Sequence, residues 1–176
     1  MDSAKIHHGG IIVDKEYIYI VFEILKETYR KAKLPLVDIS LFKSVFDILV
    51  PKGYAKFFSA KYKELNIDNY IGVMIILTYS GVVYDWYAGA HDEYLSLCPN
   101  DLLAWHAIEW SSEKGYHIFD FGGAGNPNNK EHEGIRRFKK EFGGQLVNFG
   151  RYKKIYSPRK LWLAKKGFDV WRMLKL

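Results

Sequence analysis

A chain of 176 residues, 48% hydrophobic and 16% aromatic, is long enough to bury one full core and short for two ordinary domains. Its lone cysteine, Cys98, excludes an internal disulfide framework and any metal site built from several cysteines, which fits a reducing compartment. The net charge of +6, from 26 Lys and Arg against 20 Asp and Glu, concentrates anionic partners such as nucleic acid, phosphate-bearing cofactors or acidic lipid surfaces without choosing among them.

The segment Met1 to Lys5 carries no signal-peptide pattern. The longest apolar run, Ile71 to Val83, is interrupted by Gly72, Thr78, Ser80 and Gly81, so no integral membrane span is expected and a cytoplasmic location is. Asp14 can cap a first helix in which Ile18, Val21, Ile24, Leu25 and Thr28 recur at helical spacing before the basic patch Arg30, Lys31, Lys33 and Pro35. A second helix is expected over 39–49, capped by Asp38 and stopped by Pro51 and Gly53. The period then changes to that of strands, over 54–62, 70–79 and 82–88, with a turn at 66–69 and a tight turn at Ser80-Gly81. Pro99 and Asn100 open a central helix running to Lys114, with Leu103, Ala107 and Trp110 inward and Gly115 as its stop.

The stretch from Tyr116 to Gly144 reads as strand, polar loop and basic helix in one sweep. Tyr116, Ile118, Phe119 and Phe121 suit a buried strand that Gly122 and Gly123 end. From Glu133 to Phe142 the pattern is helical, with Ile135, Phe138 and Phe142 on one stripe and Arg136, Arg137, Lys139 and Lys140 around it. Four cations beside a glycine-rich loop suggest an anion site, although a solvated face explains such a charge run equally well. The loop lacks the third glycine of a dinucleotide fingerprint and the glycine that precedes a Walker lysine. A strand over 145–156 and an amphipathic helix from Pro158 complete the chain. Together these elements predict one α+β domain over 1–176, a mixed and largely antiparallel sheet flanked by helices.

Leu102-Leu103-Ala104-Trp105, Ala107-Ile108-Glu109-Trp110, Gly115, Phe119-Asp120-Phe121-Gly122-Gly123, Gly134, Phe138-Lys139 and Phe142-Gly143, in that order, resemble the second GNAT-like domain of the FemAB/FemX aminoacyltransferases and the wider BioF2-like acetyltransferases. Thr28, Arg30 and the segment Tyr84 to Tyr94 fit the same pattern. The resemblance implies a GNAT-like fold and an N-acyltransferase that moves an aminoacyl group from aminoacyl-tRNA, as co-substrate, to an amine acceptor. It further implies that Lys139 lies near the aminoacyl ester, where an ammonium can stabilise the oxyanion of aminolysis. Phe138 would anchor the terminal nucleotide, though its helical spacing favours a core position. Arg136, Arg137 and Lys140 would meet phosphates beside Gly122 and Gly123. Arg30 matches an acceptor-side arginine, and Tyr84 and Tyr87 are candidates for the acceptor groove, on a strand where they alternate with Trp86.

GNAT acetyltransferases commonly hold the pyrophosphate of coenzyme A on an Arg/Gln-x-x-Gly-x-Gly/Ala turn before the central helix. Here Gly89 to Asn100 lacks that motif and carries Asp92 and Glu93, which disfavours acetyl-coenzyme A as donor. The alternatives are an acyl-coenzyme A-dependent N-acetyltransferase and a non-catalytic module that binds tRNA or another partner. Because the FemAB enzymes carry two such domains, a homodimer could rebuild the groove. Asp120 reads as a carboxylate accepting loop amides, His106 as a core or edge residue, and the six histidines form no metal constellation.

Overall fold

Near-continuous apolar β-formers give the 13-residue strand β3 (Ile67–Tyr79) at the centre of the sheet, where both faces are covered and alternation is therefore lost. The structure is a computed structural model that describes residues 5–8, 15–64, 67–125, 130, 133–148, 150 and 153–174. They fall into two units, 1–143 and 144–176.

In the first unit the order along the chain is β1 (Lys5–His8), α1 (Lys15–Lys31), α2 (Ile39–Ile48), β2 (Ala55–Glu64), β3, β4 (Val82–Ala90), a 3-10 turn (Asp92–Leu97), α3 (Pro99–Glu113), β5 (Ile118–Asp120) and α4 (Glu133–Glu141). The sheet follows the order β1-β2-β3-β4-β5. The first four strands pair antiparallel and β5 joins β4 in parallel, so the sheet is mixed and largely antiparallel, as expected. Asp38 caps α2 by accepting from Ser40 N at 2.9 Å. The proposed cap of α1, Asp14, lies outside the described residues.

Alternate residues of β2 and β3 feed two cores. Phe57, Val73 and Ile75 pack with Val21, Ile24 and Leu25 of α1 and Phe42 of α2 on one face. Phe58, Met74 and Ile76 pack with Leu103, Ala104 and Ala107 of α3 on the other. Each fully buried Val, Leu, Ile, Met or Phe among them stabilises the fold by roughly 1.5–3 kcal/mol relative to exposure. Helix α1 lies close on β4: a Cβ on Gly89 would come within 2.5 Å of Thr28 Oγ1. The same hydroxyl accepts from Ala90 N at 3.3 Å, pinning α1 to the end of β4.

Three expectations are corrected. The last strand, over 145–156, does not form among the described residues; Asn148 Oδ1 accepts from Gly150 N at 3.0 Å, and this turn, with Gly150 at φ +70°, interrupts extension. The fifth strand is instead β1, whose pairing from Lys5↔Lys61 to His8↔Phe58 was not anticipated. The strand expected from Tyr116 shrinks to Ile118–Asp120, because Tyr116 N still bonds the α3 end at Ser111 O and His117 N bonds Gly81 O. Its Ile118 is 57% exposed rather than buried, and Ile135 of the basic helix is likewise exposed.

The second unit holds α5 (Pro158–Leu174), the helix anticipated from Pro158. Phe168 and Trp171 stack at 5.7 Å on it, and none of its residues is buried. Among the described residues no helix is long and apolar enough to cross a membrane.

Candidate active site

Pairing between β4 and β5 lasts three residues, Val82↔Ile118, Val83↔Phe119 and Tyr84↔Asp120. Beyond Tyr84, β4 continues to Ala90 while the chain after Asp120 turns into a loop, so the sheet opens at this point. Gly122, at φ +69°, makes the turn; its N–H donates to Asp120 Oδ1 at 2.7 Å, the loop-amide role expected of Asp120. The glycine is also required by contact, since a Cβ there would lie 3.1 Å from Tyr84 Oη.

Lys139 reaches into this opening from α4. Its ammonium donates to Phe121 O and, at 3.0 Å, to Gly123 O. Two of its three N–H bonds thus fix the head on the loop and one remains for a ligand. Burial pulls the Lys139 pKa below the usual lysine range, and the charges of Asp85 and Asp120 act against that pull. The neighbouring carboxylate Asp85 is the residue sequence reasoning missed. Burial pushes it up to about 6, partly offset by the Lys139 charge and reinforced by Asp120. A single acid within the aromatic run Tyr84 to Tyr87 was the signal that could have found it.

Strand β4 carries a bulge here. Ile75 pairs with Tyr87 and Ile76 with Asp85, leaving Trp86 as the extra residue. Trp86 consequently does not alternate with Tyr87, as simple strand periodicity suggested. Both rings lie on the α1/α2 side, 6.1 and 5.0 Å from Phe42 and 4.7 Å from each other. Tyr84, opposite Leu77, belongs to that side too. Tyr29 of α1 closes the group, 5.5 Å from Tyr87, and its pKa is raised to about 12 by burial, then by Tyr87, Asp85 and Tyr84. Asp85, opposite Ile76 of the α3 core, lies on the other face of β4 from Tyr84 and Tyr87.

The remaining candidates are spread more widely. Phe138 turns inward, packed with Phe142 at 5.2 Å against the α3 core. Arg137 and Lys140 are exposed on α4, Arg137 3.9 Å from Glu141, and Arg136 is half-buried. Arg30 is exposed at the end of α1, where its charge helps hold Glu27 low. The larger causes at Glu27 are the Asp92 N–H, donating to Oε1 at 3.0 Å, and His91, 2.6 Å away. This pair was also missed in the sequence. It caps the 3-10 turn that occupies the segment before α3, and Lys31 pairs with Asp92 at 2.7 Å. His106 packs edge-on to Phe58 at 5.4 Å. Among the described residues no group of His, Cys, Asp and Glu could hold a metal ion.

This sheet, opened between its fourth and fifth strands and flanked by helices, is the GNAT fold. The chain belongs to the GNAT acetyltransferase domain family, whose model matches residues 13–140. Acyl transfer is the activity of that family. No curated protein sequence matches it. Among solved structures it is similar to FemX, with TM-score 0.69 and 18% identity over 80% of this chain and 50% of that one, so it spans about half of FemX. A possible acetyltransferase from Clostridium difficile 630 aligns over 89% and 99% of the two chains at TM-score 0.63 and 8% identity. An aminoglycoside acetyltransferase from an uncultured soil metagenomic sample aligns over 86% and 97% at 0.55 and 13%.

Proposed function

We propose that the chain transfers an aminoacyl group from aminoacyl-tRNA to an amine acceptor. The observation that carries this reading is the Lys139 ammonium, tied to Phe121 O and Gly123 O in the opening beside Asp85. A neutral amine attacks the ester carbonyl carbon, and the tetrahedral oxyanion forms against the remaining N–H of Lys139. Collapse makes the amide bond and breaks the ester C–O bond, returning the terminal ribose hydroxyl to the tRNA. Asp85 accepts the proton that the attacking nitrogen loses and passes it to the leaving oxygen. The exposed cations Arg137 and Lys140 would meet phosphates of the tRNA end.

The choice of donor is supported in the 3-10 turn that precedes α3. Asp92 N–H, at the start of that turn, already donates to the Glu27 carboxylate, and Asp92 and Glu93 add negative charge. A second reading, an acetyl-coenzyme A-dependent N-acetyltransferase, is favoured by the acetyltransferase family model over residues 13–140. Single-turnover assays with radiolabelled aminoacyl-tRNA and an amine, run beside acetyl-coenzyme A, separate the two. Amide formation from acetyl-coenzyme A alone would overturn the first reading.

A further inference from the structure

The positive charge of this chain is concentrated in its second unit. Residues 144–176 hold nine of the 26 Lys and Arg but one of the 20 Asp and Glu, Asp169, so this unit carries +8 while residues 1–143 carry −2. Its helix α5 has two apolar stripes rather than one. Leu161, Ala164, Phe168 and Trp171, at helical spacing, make the first, which holds the half-buried Leu161 and Trp171 and the stacked Phe168–Trp171 pair. Trp162, Leu163, Val170, Met173 and Leu174 make the second, and each of these is more than half exposed. Arg159 and Lys166 fall on this second face too, one turn before Leu163 and Val170, and Asp169 sits at its edge. One apolar stripe is enough to dock a helix on its own protein; a second, exposed and interleaved with cations, calls for a different partner.

We infer that α5 is an interfacial helix that lies on a bilayer of anionic phospholipid, its exposed apolar face among the acyl chains and Arg159 and Lys166 at the lipid phosphates. Charge complementarity selects this occupant. A second copy would bring one +8 unit against another, which repels. An RNA would take the cations and stack on Trp162, but it has no use for Leu163, Val170 and Leu174. A lipid surface answers both features, because hydrocarbon receives the aliphatic side chains while the stems of Arg159 and Lys166 carry their charges up to the headgroups. With 17 residues and cations along its length, α5 is too short and too charged to span the hydrocarbon core, so it lies in the plane of the surface. The chain leading into it has the same character: Lys154 Nζ stands 5.1 Å over the ring of Tyr156, an exposed aromatic of the kind that suits the headgroup region.

The test is binding rather than turnover, so it stands apart from the transfer chemistry. The full chain should sediment with sucrose-loaded vesicles of phosphatidylglycerol and phosphatidylcholine in equal parts, and about tenfold or more weakly with phosphatidylcholine alone. Each cation near such a surface contributes about fivefold, so Arg159→Gln/Lys166→Gln should weaken binding roughly 25-fold, while Lys33→Gln/Lys52→Gln, the same charge lost from the first unit, should change it by about twofold at most. Leu163→Gln/Val170→Gln, at exposed positions, should keep the native melting temperature and weaken binding about tenfold. Lipids brominated along the acyl chain should quench tryptophan fluorescence, and Trp162→Phe should lose most of that quenching while still sedimenting, which separates insertion from adsorption by charge alone. Equal binding to the two kinds of vesicle overturns the inference, as does unchanged binding of Leu163→Gln/Val170→Gln. It is overturned equally by a dimer in light scattering that the same double substitution dissolves, or by α5 cations that bind tRNA in a chain that leaves both vesicles unbound.

Discussion

Replacing Lys139 by alanine tests the transfer chemistry, and the structure fixes what else that change will do. The lysine makes two charge-assisted bonds to loop carbonyls, Phe121 O part-buried and Gly123 O exposed. Bonds to charged groups contribute about 1.5–3 kcal/mol when buried and less near solvent, so a total loss of roughly 1–2 kcal/mol is expected. For a chain of this length that lowers the melting temperature by roughly 2–8 °C. The oxyanion contribution is separate: losing one such donor costs roughly a hundredfold or more in turnover. Activity must therefore be expressed per folded molecule, at a temperature well below both transitions, with circular dichroism defining the folded fraction. Lys140→Ala is the control, since it removes one positive charge from an exposed position about 100° around the same helix. Equal losses in the two variants would refute the argument, as would Lys139→Ala activity per folded molecule within about fivefold of the parent, because the lysine would then be only a staple for the loop.

Activity should follow a bell in pH: it rises as Asp85 ionises through about 6 and falls, at a pH below the usual lysine range, as Lys139 loses its proton; Asp85→Asn should remove the acid limb only. Asp85 also has a stability signature, read by urea unfolding at several pH values. Its pKa is raised on folding, so the native state holds the extra proton between about 4 and 6 and stability falls as pH rises through that window; Asp85→Asn should be the more stable protein at pH 7 and lose that advantage below pH 4. Binding of tRNA should weaken steeply with salt, each phosphate contact adding about 0.7–0.9 to the log-log slope, and a flat response in filter binding would remove the α4 cations from the interface. Gly122→Ala should lower the melting temperature and the turnover together, because it strains φ +69° and pushes on Tyr84 Oη in the loop that holds Lys139; a variant indistinguishable from the parent would show the turn is not needed.

Local patterns made most of the first unit legible. Helical spacing located α1, α2 and α3, and the Ser80-Gly81 turn located β3 and β4, because each of these elements buries a face whose period the sequence must encode. Partners distant in sequence were not legible in the same way. Nothing local in Lys5–His8 says that it pairs with β2, and the alternation over 145–156 is overridden by an Asn148–Gly150 turn. The site divides similarly. The loop and Lys139 lie in one continuous stretch and were found together, while Asp85 and Tyr29 acquire their meaning only from a bulge and from the early end of β5. Periodicity assumes an unbroken strand, so it assigned Trp86 to the wrong side at the one place where the strand is broken.

That break makes the opening suited to chemistry and unsuited to stability. A carboxylate and an ammonium removed from water each cost free energy, and a nearby opposite charge recovers only part of it. An apolar pair at 85 and 139 would pack the gap more favourably, and the neutral or shifted states of Asp85 and Lys139 are the measure of what is forgone. Groups whose proton affinities are displaced toward neutrality by burial are those able to move protons at working pH. The loop carbonyls and the bulge hold both groups in place before any substrate arrives. Little reorganisation then remains for the transition state, and that preorganisation is the return on the lost packing.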